Sequence, residues 1–383
     1  MSVEDSSPPS AKAGPSSSVD ALVNSVEDVF EVHSIRRQAS GTGFGPRVWN
    51  PGSALELTGR LRIPSDVAYR VIAERFRAFG HLTLLRRSPD GEIVIAIPGE
   101  LPRARSRTWV VLALFLATLV SVLFAGSTPG PHSSPLSRLY SGWPFAVSLL
   151  GILVAHEFGH YIVSKRLGVP SSLPYFIPMP LSLLGTMGAV IQMKAPPYNR
   201  RALVAIAATG PLAGLAVAIP LLVLGLSLST VEPIPAGGIY VQEGNSLLYA
   251  VVKVLMFGRF LPGEGVDVSL HPVAMAGWTG LFVTALNLIP AGQLDGGHLA
   301  YALLGERARS LTWGVVAVLA GMSLLWNGWI IWAGLVFFLG RVHAVPMDDI
   351  TQLRTRERAL AVFLFVVLVL VFTPIPIVFK TGW

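Results

Sequence analysis

Apolar residues fall in long blocks along this chain, separated by short loops rich in arginine, proline or glycine. The blocks are Val110–Ala125, Trp143–Val163, Leu203–Leu228, Pro272–Pro290, Leu311–Leu325, Gly328–Leu339 and Ala359–Phe379. A helix needs roughly 20 apolar residues to cross a bilayer, so they predict about six to seven spans, with Leu311–Leu339 open to a re-entrant hairpin instead. Leu247–Phe257 is shorter and reads as an interfacial helix. The first hundred residues follow another pattern. Residues 1–45 mix Ser, Pro, Ala and Gly with few core-forming side chains, which predicts a disordered tail, helical around Ser18–Val32. From 46 to 102 a small α+β module is expected. Leu55 to Arg62 alternates as a strand does, and Ser65 is placed to cap a helix with Tyr69, Ile72, Phe76 and Phe79 on one face. Leu82–Leu85 and Ile93–Ile97 flank a Ser88-Pro89-Asp90-Gly91 turn. The expected fold class is a polytopic α-helical membrane protein, with residues 103–383 as its membrane-embedded domain.

Composition agrees, since 52% of the residues are hydrophobic and 13% charged, against about 25% charged in soluble proteins. The charges set an orientation. Arg103, Arg105 and Arg107 precede the first span, and Lys165, Arg166, Lys194, Arg200 and Arg201 separate the second from the third. Arg307, Arg309, Arg341, Arg354, Arg356 and Arg358 fill later alternate loops. The opposite loops hold only Arg138, Lys253 and Arg259, beside Glu232, Glu243, Glu264 and Asp267. By the positive-inside rule the N-terminus is cytoplasmic and Lys380 is outside. The net charge of +7 thus reflects topology, and no nucleic-acid partner is expected. The first forty residues lack the apolar run of a cleavable signal, so the first span is expected to direct insertion. With no cysteine, a metal site here must be built from His, Asp and Glu.

The second block contains His156-Glu157-Phe158-Gly159-His160. Four residues apart on a helix, His156 and His160 share one face and can grip one Zn²⁺, while Glu157 is placed to act as a base on water. Ionisable groups are costly at bilayer depth, which favours chemistry over a structural role. A catalytic zinc takes three protein ligands, and the acidic candidate beside an apolar span is Asp295, in Asn287-Leu288-Ile289-Pro290-Ala291-Gly292-Gln293-Leu294-Asp295-Gly296-Gly297. On spacing alone Asp295 also fits a plain carboxylate in a glycine-rich turn. The orientation brings it within reach, because the second and fourth spans both run from outside to inside. At 1.5 Å per residue, His156 lies about 13 Å and His160 about 7 Å above Lys165, in the cytoplasmic half of the bilayer.

These two motifs resemble the site-2 protease family of intramembrane zinc metalloproteases, and the Leu184–Val190 and Gly277–Gly297 stretches look like its bacterial and plastid branch. The resemblance covers most of residues 145–300. It implies that His156, His160 and Asp295 hold the zinc, that Glu157 is the catalytic base, and that a strand within Gly185–Met193 pairs with an unwound substrate; the other reading of that segment is a re-entrant loop that fills space beside the site. It also makes Asn287 a candidate donor to the developing oxyanion; the other reading of Asn287 is an amide that caps or cross-links helices. The implied substrate is a transmembrane helix of another protein, cut where helix-weakening residues let it unwind. The rivals from other classes are a membrane metal transporter and a catalytically silent binding scaffold; a protease acting on soluble peptides is a third alternative. His298 is read either as a partner to the metal ligands or as a headgroup-facing residue at a span end, and His271 and His343 also fall at predicted span ends. The oligomeric state is left open.

Overall fold

The computed structural model describes residues 15–38, 54–101, 106–127, 134–234, 237, 239–340 and 344–381. The chain divides into two compact units, one of residues 1–101 with 347–351 and one of 102–346 with 352–383.

The first unit begins with helix α1 (Pro15–Asn24) and strand β1 (Phe30–Gln38), then β2 (Ala54–Leu61), α2 (Ser65–Ala78), β3 (His81–Ser88) and β4 (Gly91–Pro98). The strands form an antiparallel sheet in the order β1-β2-β4-β3. Much of the tail expected to be disordered is therefore ordered, with its helix earlier than expected; residues 1–14 and 39–45 lie outside the described residues. Ser65, expected to cap α2, is its first residue, and Pro64 stands at the cap. Tyr69, Ile72 and Phe76 are buried as the period predicts, but Phe79 follows the helix and is exposed. The Pro89-Asp90 turn joins β3 to β4 with Ser88 paired to Gly91.

Arg75 fastens the α1–β1 connection to α2. It donates from both terminal nitrogens to the Asp28 carboxylate and, over 2.6 Å, to the Ser25 carbonyl. The hydrogen-bonded guanidinium holds the Asp28 carboxyl below the ordinary carboxylate value. A depressed carboxyl contributes stability that is complete above its unfolded pKa and lost as pH falls through the folded one. Hydrogen exchange in residues 15–30 should therefore speed up on acidification relative to β4, and Arg75→Leu should remove that pH dependence.

The second unit contains α3 (Thr108–Ala125), α4 (Pro135–Ser141), α5 (Trp143–Arg166), β5 (Tyr175–Pro178), β6 (Thr186–Val190) and α6 (Arg200–Ser227). It continues with β7 (Thr230–Pro233), β8 (Ile239–Glu243), α7 (Leu247–Phe257), β9 (Val266–Ser269), α8 (Pro272–Asn287), α9 (Asp295–Leu304), α10 (Arg307–Met322), α11 (Gly328–Leu339), α12 (Thr355–Val371) and β10 (Ile377–Thr381). Among the described residues, α3, α5 and α6 are long and apolar enough to cross a membrane. The last apolar block, expected to be helical to Phe379, breaks earlier: α12 stops at Val371, Pro374 and Pro376 follow, and β10 pairs antiparallel with β8.

Helix α6 lies at the centre, packed on α5, α8 and α9. Its Leu203, Ala207, Leu215 and Leu222 join Trp278, Leu281 and Ala285 of α8, Leu299 and Tyr301 of α9, and Leu364 of α12 in one core. Glycine lets the helices approach closely: a Cβ at Gly277 of α8 would lie 2.6 Å from the Leu222 backbone, and one at Gly225 of α6 would lie 2.0 Å from the Ala274 nitrogen. Beside β8, Lys253 of α7 is wholly buried, 3.5 Å from Glu243 and above the Tyr249 ring, whose hydroxyl donates to the same carboxylate.

Candidate metal centre

Helix α5 is continuous through the His-Glu-x-x-His stretch, so His156 and His160 stack one turn apart with ring centroids separated by 4.9 Å. Both are buried, and so is Glu157 between them in sequence. The third candidate ligand arrives by a sharp change of direction. Helix α8 ends at Asn287, and a tight turn with Gly292 at φ +53° carries the chain to α9, whose first residue is Asp295. In that turn the Ala291 amide donates to the Ile289 carbonyl at 2.7 Å and the Leu294 amide to the Ala291 carbonyl at 3.2 Å. The two residues after Asp295 have to be glycine. A Cβ at Gly296 would lie 1.9 Å from the Leu288 carbonyl oxygen, and one at Gly297 2.4 Å from that of Gly292. The Asp-Gly-Gly run folds α9 back under the end of α8 and aims the Asp295 carboxylate at the two imidazoles.

Asp295 Oδ2 lies 3.2 Å from His160 Nε2 and 3.3 Å from His156 Nε2, and the two Nε2 atoms are 3.2 Å apart. Metal–ligand bonds of about 2.0–2.1 Å at the tetrahedral angle separate donor atoms by about 3.3 Å. The three atoms therefore form one face of a zinc-sized tetrahedron, with the fourth corner left for another ligand. Two neutral imidazoles and a carboxylate are also a donor set that suits Zn²⁺.

The surrounding residues orient this triangle. His160 Nδ1 lies 2.7 Å from the Ile206 carbonyl of α6, so Nδ1 carries the proton and Nε2 presents its lone pair to the triangle. Two glycines of α6 make room for the rings: a Cβ at Gly210 would sit 2.0 Å from His160 Nε2, and one at Gly214 would sit 3.2 Å from His156 Nδ1. Gly159, on α5 itself, faces the Thr209 carbonyl, where a Cβ would come within 2.6 Å. None of the three stands out as a site residue in the sequence, although the four-residue spacing of Gly210 and Gly214 in an apolar helix is the available signal.

Asn287, at the end of α8, brings its amide nitrogen to 3.3 Å from His156 Nε2, beside the triangle. The backbone amide of Ile191, just past β6, approaches the Glu157 carboxylate. Strand β6 falls within the expected Gly185–Met193 segment and pairs antiparallel with β5 in a two-stranded sheet. Leu181 and Leu183 in the hairpin turn and Met187 and Val190 on β6 are exposed. His298 does not face a membrane surface: it is buried on the first turns of α9. His271 caps α8, its Nδ1 accepting from the Val273 amide at 3.3 Å, and His343 lies outside the described residues.

Residues 144–326 match the family model described as Peptidase family M50. The chain is similar to the Arabidopsis thaliana protein named probable zinc metalloprotease EGY2, chloroplastic, with 31% identity over 84% of this chain and 60% of that protein. It is 28% identical to the EGY2 protein of Oryza sativa subsp. indica over 84% of this chain and 61% of that one. Probable zinc metalloprotease EGY1, chloroplastic, of Arabidopsis thaliana is 35% identical over 57% of this chain and 40% of that protein. The chain thus spans about 60% of the length of the EGY2 relatives. No solved structure matches it.

Proposed function

We propose that this chain, whose residues 144–326 match the model of peptidase family M50, is an intramembrane zinc metalloprotease that hydrolyses peptide bonds in transmembrane segments of other proteins. The observation that carries this reading is the donor triangle of His156, His160 and Asp295 with a buried carboxylate, Glu157, beside it and free of the ligand set.

Zinc bound there supplies a Lewis acid that acidifies water and polarises a carbonyl. His160, held by the Ile206 carbonyl, and Asp295, held by the glycine turn, keep the triangle fixed while the substrate changes. Glu157 takes the proton of the attacking water and returns it to the leaving amine, so the peptide C–N bond breaks with no net proton change at the site. The Asn287 amide, 3.3 Å from His156 Nε2, donates to the oxyanion as it forms. An intact helix shields its peptide bonds, so the substrate must unwind locally, and β6 offers an edge on which the unwound segment can lie.

We read α3, α5, α6, α8, the α10–α11 pair and α12 as the membrane-crossing elements, with the N-terminal module cytoplasmic and the site towards that side. One strand contact supports the arrangement of the spans. β8 precedes α8 and β10 follows α12, and their pairing requires an even number of crossings between them.

The full chain, purified in nanodiscs, should cut a reporter transmembrane helix carrying Gly or Pro near the scissile bond. A zinc chelator should stop the reaction and added Zn²⁺ restore it. Cleavage indifferent to the chelator would exclude the metalloprotease, and cleavage of soluble peptides at the same rate as the helix would exclude an intramembrane substrate.

A further inference from the structure

Residues 347–351 belong in sequence to the connection between α11 and α12, yet they pack as part of the N-terminal unit. They lie parallel to β3 on the outer edge of the sheet, with Asp348 bridged to Leu85. The Leu85 amide donates to the Met347 carbonyl at 2.9 Å, and the Asp349 amide donates to the Leu85 carbonyl at 3.1 Å. Side chains add specificity to this short strand. Arg86 donates to the Met347 carbonyl at 2.7 Å, and the Tyr69 hydroxyl donates to Met347 Sδ at 3.1 Å. Asp348 is completely buried; its carboxylate accepts from the amides of Ile350 and Thr351 and from the Thr351 hydroxyl, which meets Ser65 at the start of α2. The segment is thus folded into a shape that the module reads.

Three residues, Gln352 to Arg354, separate this strand from α12. In that interval the Gln352 carbonyl accepts from Arg201 Nε at 2.9 Å, and Arg201 stands in the first turn of α6, the helix that holds His160 through Ile206. Helix α12 itself packs on α6, α8 and α9, which between them carry Gly210, Asn287 and Asp295. A five-residue strand held at a sheet edge by two backbone hydrogen bonds and a few side-chain contacts opens more readily than a membrane helix moves, so this contact is the soft element of the route.

We propose that residues 347–351 are a latch: docked as an edge strand on β3 they hold the cytoplasmic end of α12 in the arrangement that cleaves, and undocking of this strand lowers cleavage. The module is then a regulator of the protease through this strand, an inference that rests on the preceding reading of the site.

Asp349→Pro tests it, since it removes the amide that donates to Leu85 and touches neither the module's own strands nor the metal centre. In the full chain in nanodiscs, hydrogen exchange at residues 347–360 should rise at least about tenfold while β2 and β4 stay protected. Hydrolysis of the reporter helix should fall at least about fivefold with bound zinc unchanged. A synthetic peptide of residues 345–351 added to the wild-type chain should produce the same two changes with no substitution in the protein. Faster exchange confined to 347–351, or a released strand with wild-type cleavage, would overturn the latch. If the wild-type chain shows no zinc-dependent cleavage, the protease reading fails instead, while exchange at 352–360 still reports whether the latch holds α12.

Discussion

Glu157→Gln should leave zinc binding intact and reduce hydrolysis of the reporter helix by about 10²–10⁴-fold, the range expected for losing a positioned general base. The two expectations separate because Glu157 is not one of the three donor atoms. Glutamine keeps the shape of the side chain and its approach to the Ile191 amide, but it cannot take a proton at neutral pH. Zinc content by atomic absorption and cleavage rate, measured on one preparation, check the claim together. A Glu157→Gln variant that cleaves within about threefold of wild type would move the base to another residue. A variant that loses its zinc would instead place Glu157 among the ligands. The same measurement separates a protease from a silent scaffold or a metal transporter, neither of which needs a base beside a complete ligand set.

Gly210→Ala should remove the metal centre without touching a ligand. Its Cβ would lie 2.0 Å from His160 Nε2, a distance that atoms cannot hold, so the imidazole must leave the triangle. Zinc affinity should fall at least about 100-fold, the upper end of what losing a ligand's support costs. Neighbouring glycines grade the effect. Gly214→Ala puts a Cβ 3.2 Å from His156 Nδ1, which asks for only a slight shift and a smaller loss; Gly151→Ala on α5 meets nothing within 4 Å and should bind zinc as wild type does. Isothermal titration of Zn²⁺ into the three metal-stripped variants gives the order. Equal affinities in all three would show that α6 does not shape the site.

What could be read from the residues, and what could not, follows from the range of each interaction. His156, Glu157 and His160 were legible because helical spacing puts them on one face whatever the rest of the chain does. Asp295 needed the charge pattern of distant loops to bring it to the same side, and the Gly296–Gly297 pair explains why a turn-like sequence carries a ligand. Gly210 and Gly214 were invisible as site residues because only tertiary packing decides which face of α6 meets α5. Strand β1 escaped for a local reason: its register against β2 shifts between Val32 and Ser34, which puts Phe30 and Ile35 out of phase and spoils the alternation that would have revealed it. Strands β7 to β10 are four or five residues long, too short for a period of two to stand out from loop sequence. The captured segment 347–351 has no strand pattern of its own, because its pairing comes from Leu85 and its shape from a turn that the Asp348 carboxylate closes on Ile350 and Thr351.

His160 and Asp295 are 135 residues apart in the chain. At a synthesis rate of about 5–20 residues per second, on the order of ten seconds passes between the insertion of the histidine pair and the arrival of the carboxylate. Throughout that interval the nascent chain carries a base and two imidazoles but no complete grip on a metal. The division of the ligands between distant segments therefore makes the three-donor grip a late product of folding, complete only when α6, α8 and α9 have closed around α5.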